Sequence, residues 1–167
     1  MSHSIFAPPI RGTFYRAIDP RFREHAIRGS RAAGRYSRAD QPTLYLSSSI
    51  EGVEAAMIAH SQSRASSLEI VELTVEAQNI VDLRDPEALK LLGVDLVDAT
   101  APWQELAAAG RAPASWSVRD RLTAAGANGL IDPSRQSPGL WHLVLFRWNT
   151  PGAPAVAISG NPRPKRG

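Results

Sequence analysis

Arg11, Arg16, Arg21, Arg23, Arg28, Arg31, Arg35 and Arg38 fall within the first forty residues, where only Asp19, Glu24 and Asp40 carry the opposite charge. A guanidinium is planar and permanently charged, and it grips phosphate oxygens two at a time, which a lysine ammonium does less well. The segment therefore reads as an anion cradle, with a phosphate-bearing ligand as its expected occupant. Directly after it, Leu44-Tyr45-Leu46-Ser47-Ser48-Ser49 is an apolar strand running into a serine-rich helix start, with Glu51 and Glu54 on the first turns of that helix. Arginines, tyrosines and a carboxylate brought together in this order form a candidate chemical site.

Within that set the residue types divide the work. Arg16 follows Tyr15 on a strand, and alternation puts the two side chains on opposite faces. Gly34-Arg35-Tyr36 combines a glycine that permits close approach with a charge and an aromatic stacking face. Glu51 and Glu54 share a helix face at i, i+3 spacing. Ser48-x-x-Glu51 matches a capping box, which gives Glu51 a structural task and leaves Glu54 as the carboxylate without one. Ser134 ends the turn Asn128-Gly129-Leu130-Ile131-Asp132-Pro133-Ser134 at the mouth of a strand. No Gly-x-Ser-x-Gly elbow is present and nothing in the sequence sets a histidine beside a serine, which argues against triad hydrolysis. The Walker loop and the Gly-x-Gly-x-x-Gly fingerprint are also missing. His3, His25, His60 and His142 show no metal-ligand spacing, and with no cysteine there is neither a disulfide nor a thiolate site.

These side chains must be positioned by short elements. Gly12 to Ile18 reads as a strand stopped by Asp19-Pro20, and Arg21 to Gln41 as a long functional loop. Thr43 to Ser47 is a second strand, and Ile50, Val53, Met57 and Ile58 give a helical stripe to about Ser61. Strands are expected at Leu68 to Val75, Ile80 to Leu83, Gly129 to Ile131, Leu140 to Trp148 and, as an edge, Ala155 to Ser159. Helices are expected from Asp85-Pro86-Glu87 through Leu92, from Pro102 to Ala109 and from Ser117 to Ala125. Strands at both ends with helices between them indicate a mixed α+β domain with no βαβ period.

A length of 167 residues and 43% hydrophobic content fit one globular domain. The N-terminus lacks a signal-peptide pattern, no stretch reaches a membrane span, and the expected location is the cytoplasm. Residues 1–11 read as an extension, 12–160 as the domain and 161–167 as a disordered basic tail. A net charge of +3 is modest for a nucleic-acid binder. A non-enzymatic RNA-binding module using the basic loop is nevertheless the contrasting class, though the glycine and aromatic motifs of common RNA-binding folds are missing.

The order Tyr15-Arg16, Gly34-Arg35-Tyr36-Ser37, Thr43-Leu44-Tyr45-Leu46-Ser47 with Glu54 on the next helix, Gly129-Leu130-Ile131 with Ser134, and Leu143-Val144-Leu145-Phe146 resembles the RES-domain family of bacterial toxins over about residues 12 to 148. The resemblance implies an ADP-ribosyltransferase-like fold and NAD as substrate. It implies degradation of NAD by phosphorolysis or hydrolysis, or, as in the ParT branch, ADP-ribosylation of a nucleotide-synthesis enzyme such as phosphoribosyl pyrophosphate synthetase. It also implies an Xre-like or ParS-like antitoxin that covers the active site. The compact chain and the Tyr-Leu-Ser-Ser-Ser-Ile-Glu-Gly run resemble the ParT branch, which favours transfer onto a protein. Carried over by position, Arg16, Arg35, Tyr45 and Ser134 match the family's first-strand arginine, its Gly-Arg-Trp arginine, its strand tyrosine and its late serine. Tyr36 stands where tryptophan is usual, and Ser37 where asparagine is. The family glutamate often falls at the position of Ala56, so the choice between Glu54 and Glu51 stays open. Arg16, Arg31, Arg35 and Ser48 are then expected around the pyrophosphate and ribose, with Tyr45 or Tyr36 against nicotinamide.

Overall fold

The computed structural model describes residues 4–59, 68–133, 139–159 and 163–164. The expected mixed α+β architecture is present. Strands β1 (Ile10–Ile18), β2 (Leu44–Ser47), β3 (Glu69–Ala77), β4 (Ile80–Asp82), β5 (Gly129–Pro133), β6 (Trp141–Leu145), β7 (Ala155–Ile158) and β8 (Arg163–Pro164) form a sheet in the order β4-β5-β6-β2-β1-β3-β7, with β8 also on β3. Helix α1 (Ile50–Ala59) follows β2, while α2 (Pro86–Leu92), α3 (Leu96–Thr100), α4 (Gln104–Ala108) and α5 (Ala114–Ala124) all lie between β4 and β5.

The sheet is two half-sheets joined by a narrow seam. On one side β1 pairs with β3 along its whole length, from Ile10↔Ala77 to Ile18↔Glu69. On the other, β2, β6 and β5 pair through Leu44↔Leu145 to Ser47↔His142 and Gly129↔Leu145 to Pro133↔Trp141. Between the halves, β1 meets β2 at the single position Tyr15↔Ser47.

Alternation then assigns the faces. Phe14, Ile18, Leu44, Leu46, Val71, Leu73, Val75, Ile131, Leu143 and Leu145 form one continuous core drawn from both halves. The opposite face carries two separate clusters. Val81, Leu130 and Val144 pack with Tyr36, Leu89, Val118 and Leu122 from the loop and α2–α5, whereas Val53 of α1 packs with Ile70, flanked by Tyr15 and Ala17. Gly129 is held against β6 so closely that a Cβ would stand 2.2 Å from the Val144 carbonyl oxygen, which only glycine avoids.

Several local expectations are corrected. Helix α1 starts at Ile50, so Ser49 and not Ser48 is the cap, its hydroxyl accepting the Gly52 amide at 3.0 Å. Glu51 is therefore not an N3 capping partner, and it is exposed. Its structural explanation falls away. Ser48 instead exchanges backbone and side-chain bonds with Trp141. β4 and β5 run parallel, so the helical block is one crossover connection where none was expected. Helix α3 has no counterpart in the sequence reading, and α5 begins at Ala114, three residues before the expected Ser117.

Candidate active site

Register places five polar side chains in one row. Asp132 of β5 is opposite His142 of β6, His142 is opposite Ser47 of β2, Ser47 is opposite Tyr15 of β1, and Tyr15 is opposite Glu72 of β3. Directly opposed residues of antiparallel strands share a face, so Asp132, His142, Ser47, Tyr15 and Glu72 cross the sheet together at the seam. The row touches both apolar clusters of that face, with Tyr15 packed against Val53 and Ile70 and Asp132 bonded to Tyr36.

Ser47 Oγ lies 2.9 Å from His142 Nδ1. This corrects the expectation that no serine has a histidine beside it, and the pair is 95 residues apart in sequence. Ser47 is 6% and Asp132 5% exposed, while His142 is half-buried. The buried Asp132 carboxylate accepts the Tyr36 hydroxyl at 2.8 Å. Above the row, α1 stands with Gly52 against Ser47, a Gly52 Cβ falling 3.4 Å from the serine Cβ. Glu54, one turn beyond the exposed Glu51, is half-buried. Both carboxylates thus ride on the helix that covers Ser47 and Tyr15.

Tyr45 is two residues before Ser47 on β2 and points to the same face. Its hydroxyl accepts the Tyr36 amide at 3.2 Å and shares a 2.7 Å bond with the Ser37 hydroxyl. Burial raises the Tyr45 phenol above its ordinary value, opposed by the bonds to Ser37 and Tyr36. Gly34 is indeed a point of close approach, but to Tyr45: a Cβ there would meet the phenolic oxygen at 2.6 Å. Tyr36 is 1% exposed. Its ring is core rather than a stacking face.

The arginines separate into structural and exposed sets. Arg16 lies on the Phe14–Ile18 side of β1, opposite to Tyr15, and its guanidinium donates to the Ala26 carbonyl; burial lowers its pKa from the usual value. Arg35 donates to the Ala99 and Ala101 carbonyls at 3.1 and 2.6 Å, clamping the end of α3. Arg38 pairs with Asp120 of α5 and lies over Trp116, Arg21 pairs with Asp19, and Arg11 pairs with Glu76. Counting only neighbouring acids had left Arg11 and Arg38 without counter-charges; their partners come from 65 and 82 positions away in the chain. Arg28 and Arg31 are exposed on the loop. Arg23's side chain and Ser134 lie outside the described residues.

The sequence reading passed over one further cation. Arg119 of α5 is 6% exposed and donates from Nη1 to the Tyr36 carbonyl at 2.9 Å and to Thr43 Oγ1 at 2.7 Å, with its guanidinium 4.5 Å from the Phe146 ring centre. Burial lowers its pKa, partly opposed by Tyr45 and Asp120. Ser115 donates to the Arg35 carbonyl and Trp116 Nε1 to the Gly34 carbonyl at 2.8 Å. Gly34 to Ser37 is thereby stapled to α5. A signal for the polar row did exist: Ser47 and Asp132 each stand at the end of an apolar strand and His142 near the start of another, so antiparallel pairing aligns them.

The overall mixed α+β fold has a counterpart among solved structures. It matches a chain of the M. tuberculosis MbcT-MbcA toxin-antitoxin complex with a TM-score of 0.60 at 18% identity, covering 89% of this chain and 82% of that one. The family model described as "RES domain" matches residues 13–165, and the chain belongs to that family. No curated protein matches it.

Proposed function

We propose that this protein is the toxin of a toxin-antitoxin pair, that it cleaves the nicotinamide–ribose bond of NAD, and that it transfers the ADP-ribose to a protein. The observation that carries this reading is a carboxylate-bearing helix standing over the Tyr15–Ser47–His142 seam in a RES-domain chain. Breaking that bond develops positive charge on the ribose, as in glycoside cleavage, and a carboxylate at the ribose hydroxyl stabilises the charge where it forms. Glu54 takes this role, with Glu51, released from capping, as its alternate. Tyr15 and Tyr45 flank Ser47 and supply the aromatic wall for nicotinamide. The exposed Arg31 meets the pyrophosphate. Arg16 is assigned to the site through the family motif alone, since its guanidinium bonds Ala26 on the face of β1 opposite to the seam residue Tyr15. Arg35 and Tyr36 hold the loop that carries Arg31, Ser48 lines the start of α1, and Ser134 is assigned to the site through the family motif alone.

The partner is an antitoxin that covers the seam. Expression of the chain alone in bacteria should arrest growth, and co-expression of the antitoxin encoded beside it should restore growth. Normal growth on expression of soluble, folded protein, with cellular NAD and proteins unmodified, would refute the toxin reading.

A further inference from the structure

Thr43, immediately before β2, is fully buried, and its backbone pairs with Ser30 in both directions, Ser30 N to Thr43 O at 2.7 Å and Thr43 N to Ser30 O at 3.2 Å. Arg31 follows that bridge directly, and its carbonyl accepts the Asp40 amide at 2.7 Å. The main chain of Arg31 is therefore held on both sides, while the residue itself is exposed. Arg119 of α5 reaches the same bridge from inside the fold. Its Nη1 donates to Thr43 Oγ1 at 2.7 Å and to the Tyr36 carbonyl at 2.9 Å, so one nitrogen ties two points of the loop to the helix. The neighbouring carboxylate, Asp120, pairs with Arg38 instead, and both acceptors of Arg119 are neutral. Burying a charge on neutral partners costs stability. Packing does not call for it, since the Phe146 ring, 4.5 Å away, would equally meet an apolar side chain.

Resting on the reading of Arg31 given above, we propose that Arg119 is a positioning residue for anion binding: through Thr43 and the Ser30 bridge it fixes the backbone from which Arg31 meets the pyrophosphate. An arginine on a loose loop must be ordered when the anion arrives, and that ordering opposes binding. With the loop already tied to α5, only the side chain of Arg31 remains to be ordered. Arg119 touches no ligand; it is 6% exposed and acts through main-chain position. Its loss therefore weakens binding only while Arg31 is there to be positioned.

The test measures binding of ADP-ribose, which carries the pyrophosphate and has no nicotinamide to lose, to the purified full chain by calorimetry. Circular dichroism checks that each variant is folded. Arg119→Gln removes the guanidinium, and Thr43→Val keeps the branched shape but removes the hydroxyl that Arg119 grips. Arg31→Ala should weaken ADP-ribose binding about tenfold, as loss of a charge-assisted contact does. Arg119→Gln and Thr43→Val should each weaken it about three- to tenfold through lost preorganisation. In the Arg31→Ala background neither should weaken it by more than about a further twofold, because all three act on one contact. Undiminished affinity in either folded variant would overturn the proposal. Losses that multiply with that of Arg31→Ala would overturn it too, since they mark a general loosening of the fold. If Arg119→Gln does not fold, Thr43→Val decides by the same two criteria. Full ADP-ribose affinity in Arg31→Ala, or no binding by the wild type, would refute the anion role of Arg31 and the proposal with it. Coupled ADP-ribose binding by a chain that leaves NAD intact would instead refute the cleavage reading and uphold the role of Arg119.

Discussion

At the scale of single residues, the site contrasts one carboxylate that can meet a ribose with another that was thought to be occupied. With Ser49 as the cap, Glu51 has no capping duty and competes with Glu54 for the role. Glu54 is the more sheltered of the two, and sheltered charge stabilises a cation more strongly than exposed charge does. Glu54→Gln should lower NAD turnover by about 10²-fold or more, a loss typical of removing one electrostatic partner of a transition state, and leave the thermal midpoint within a few degrees. Glu51→Gln should retain most activity. The reverse pattern in parallel assays would move the role to Glu51. Tyr45 gives a second prediction, about pH. Its folded pKa is raised by burial above the ordinary value of about 10, so the native state keeps a proton that the unfolded chain loses. Its stabilising contribution is complete below about pH 10 and declines as pH rises above that value. Urea denaturation between pH 8 and 11 should show this alkaline decline, and Tyr45→Phe should flatten it. An equal decline in the variant would assign it to other groups.

At the scale of elements, the segment expected as one long loop contains a 3-10 helix over Pro20–His25, and its Gly34 to Tyr36 stretch is held in place. Arg35 bonds the end of α3, while Ser115, Trp116 and Arg119 of α5 hold the carbonyls of Arg35, Gly34 and Tyr36. Arg119→Ala removes two charge-assisted donors and leaves the Tyr36 carbonyl and the Thr43 hydroxyl short of a partner. At about 1.5 to 3 kcal/mol for a hydrogen bond to a charged group, the variant should lose about 3 kcal/mol in urea unfolding. A change under about 0.5 kcal/mol would show that the staple contributes nothing. What the sequence revealed divides along the same line. Helix α2 was readable because Asp85 caps it locally, accepting the Glu87 amide at 3.1 Å, and Pro86 opens it. The alternating strands were readable for the same local reason. Helix α3 was missed although Asp95 caps it locally, accepting the Val97 amide at 2.9 Å. Ser47–His142, Arg38–Asp120 and Tyr36–Asp132 depend on which strand or helix lies beside which, and no local pattern encodes that. Gly34-Arg35-Tyr36 was singled out as a ligand contact, whereas its glycine serves Tyr45 and its tyrosine serves Asp132.

At the scale of the whole molecule, many of the arginines already have partners, either in ion pairs on the surface or on backbone carbonyls. Arg11, Arg21, Arg38 and Arg84 are paired with carboxylates, and Arg16, Arg35 and Arg119 are directed at backbone carbonyls. Among the described residues, Arg28 and Arg31 are the exposed loop arginines without an ion pair, and such a pair suits a single small anion better than a nucleic-acid backbone, which is held by many contacts along a stripe. The two half-sheets share one core yet pair at one residue position, Tyr15↔Ser47, so the polar seam is set by the topology. The central claim is that this seam cleaves NAD. It is tested most directly by incubating the purified protein with NAD labelled in the adenylate half, together with bacterial proteins, and following both halves of the molecule. The account predicts release of free nicotinamide, matched by label appearing on protein, with both lost in Glu54→Gln. Intact NAD after prolonged incubation with folded protein would contradict it.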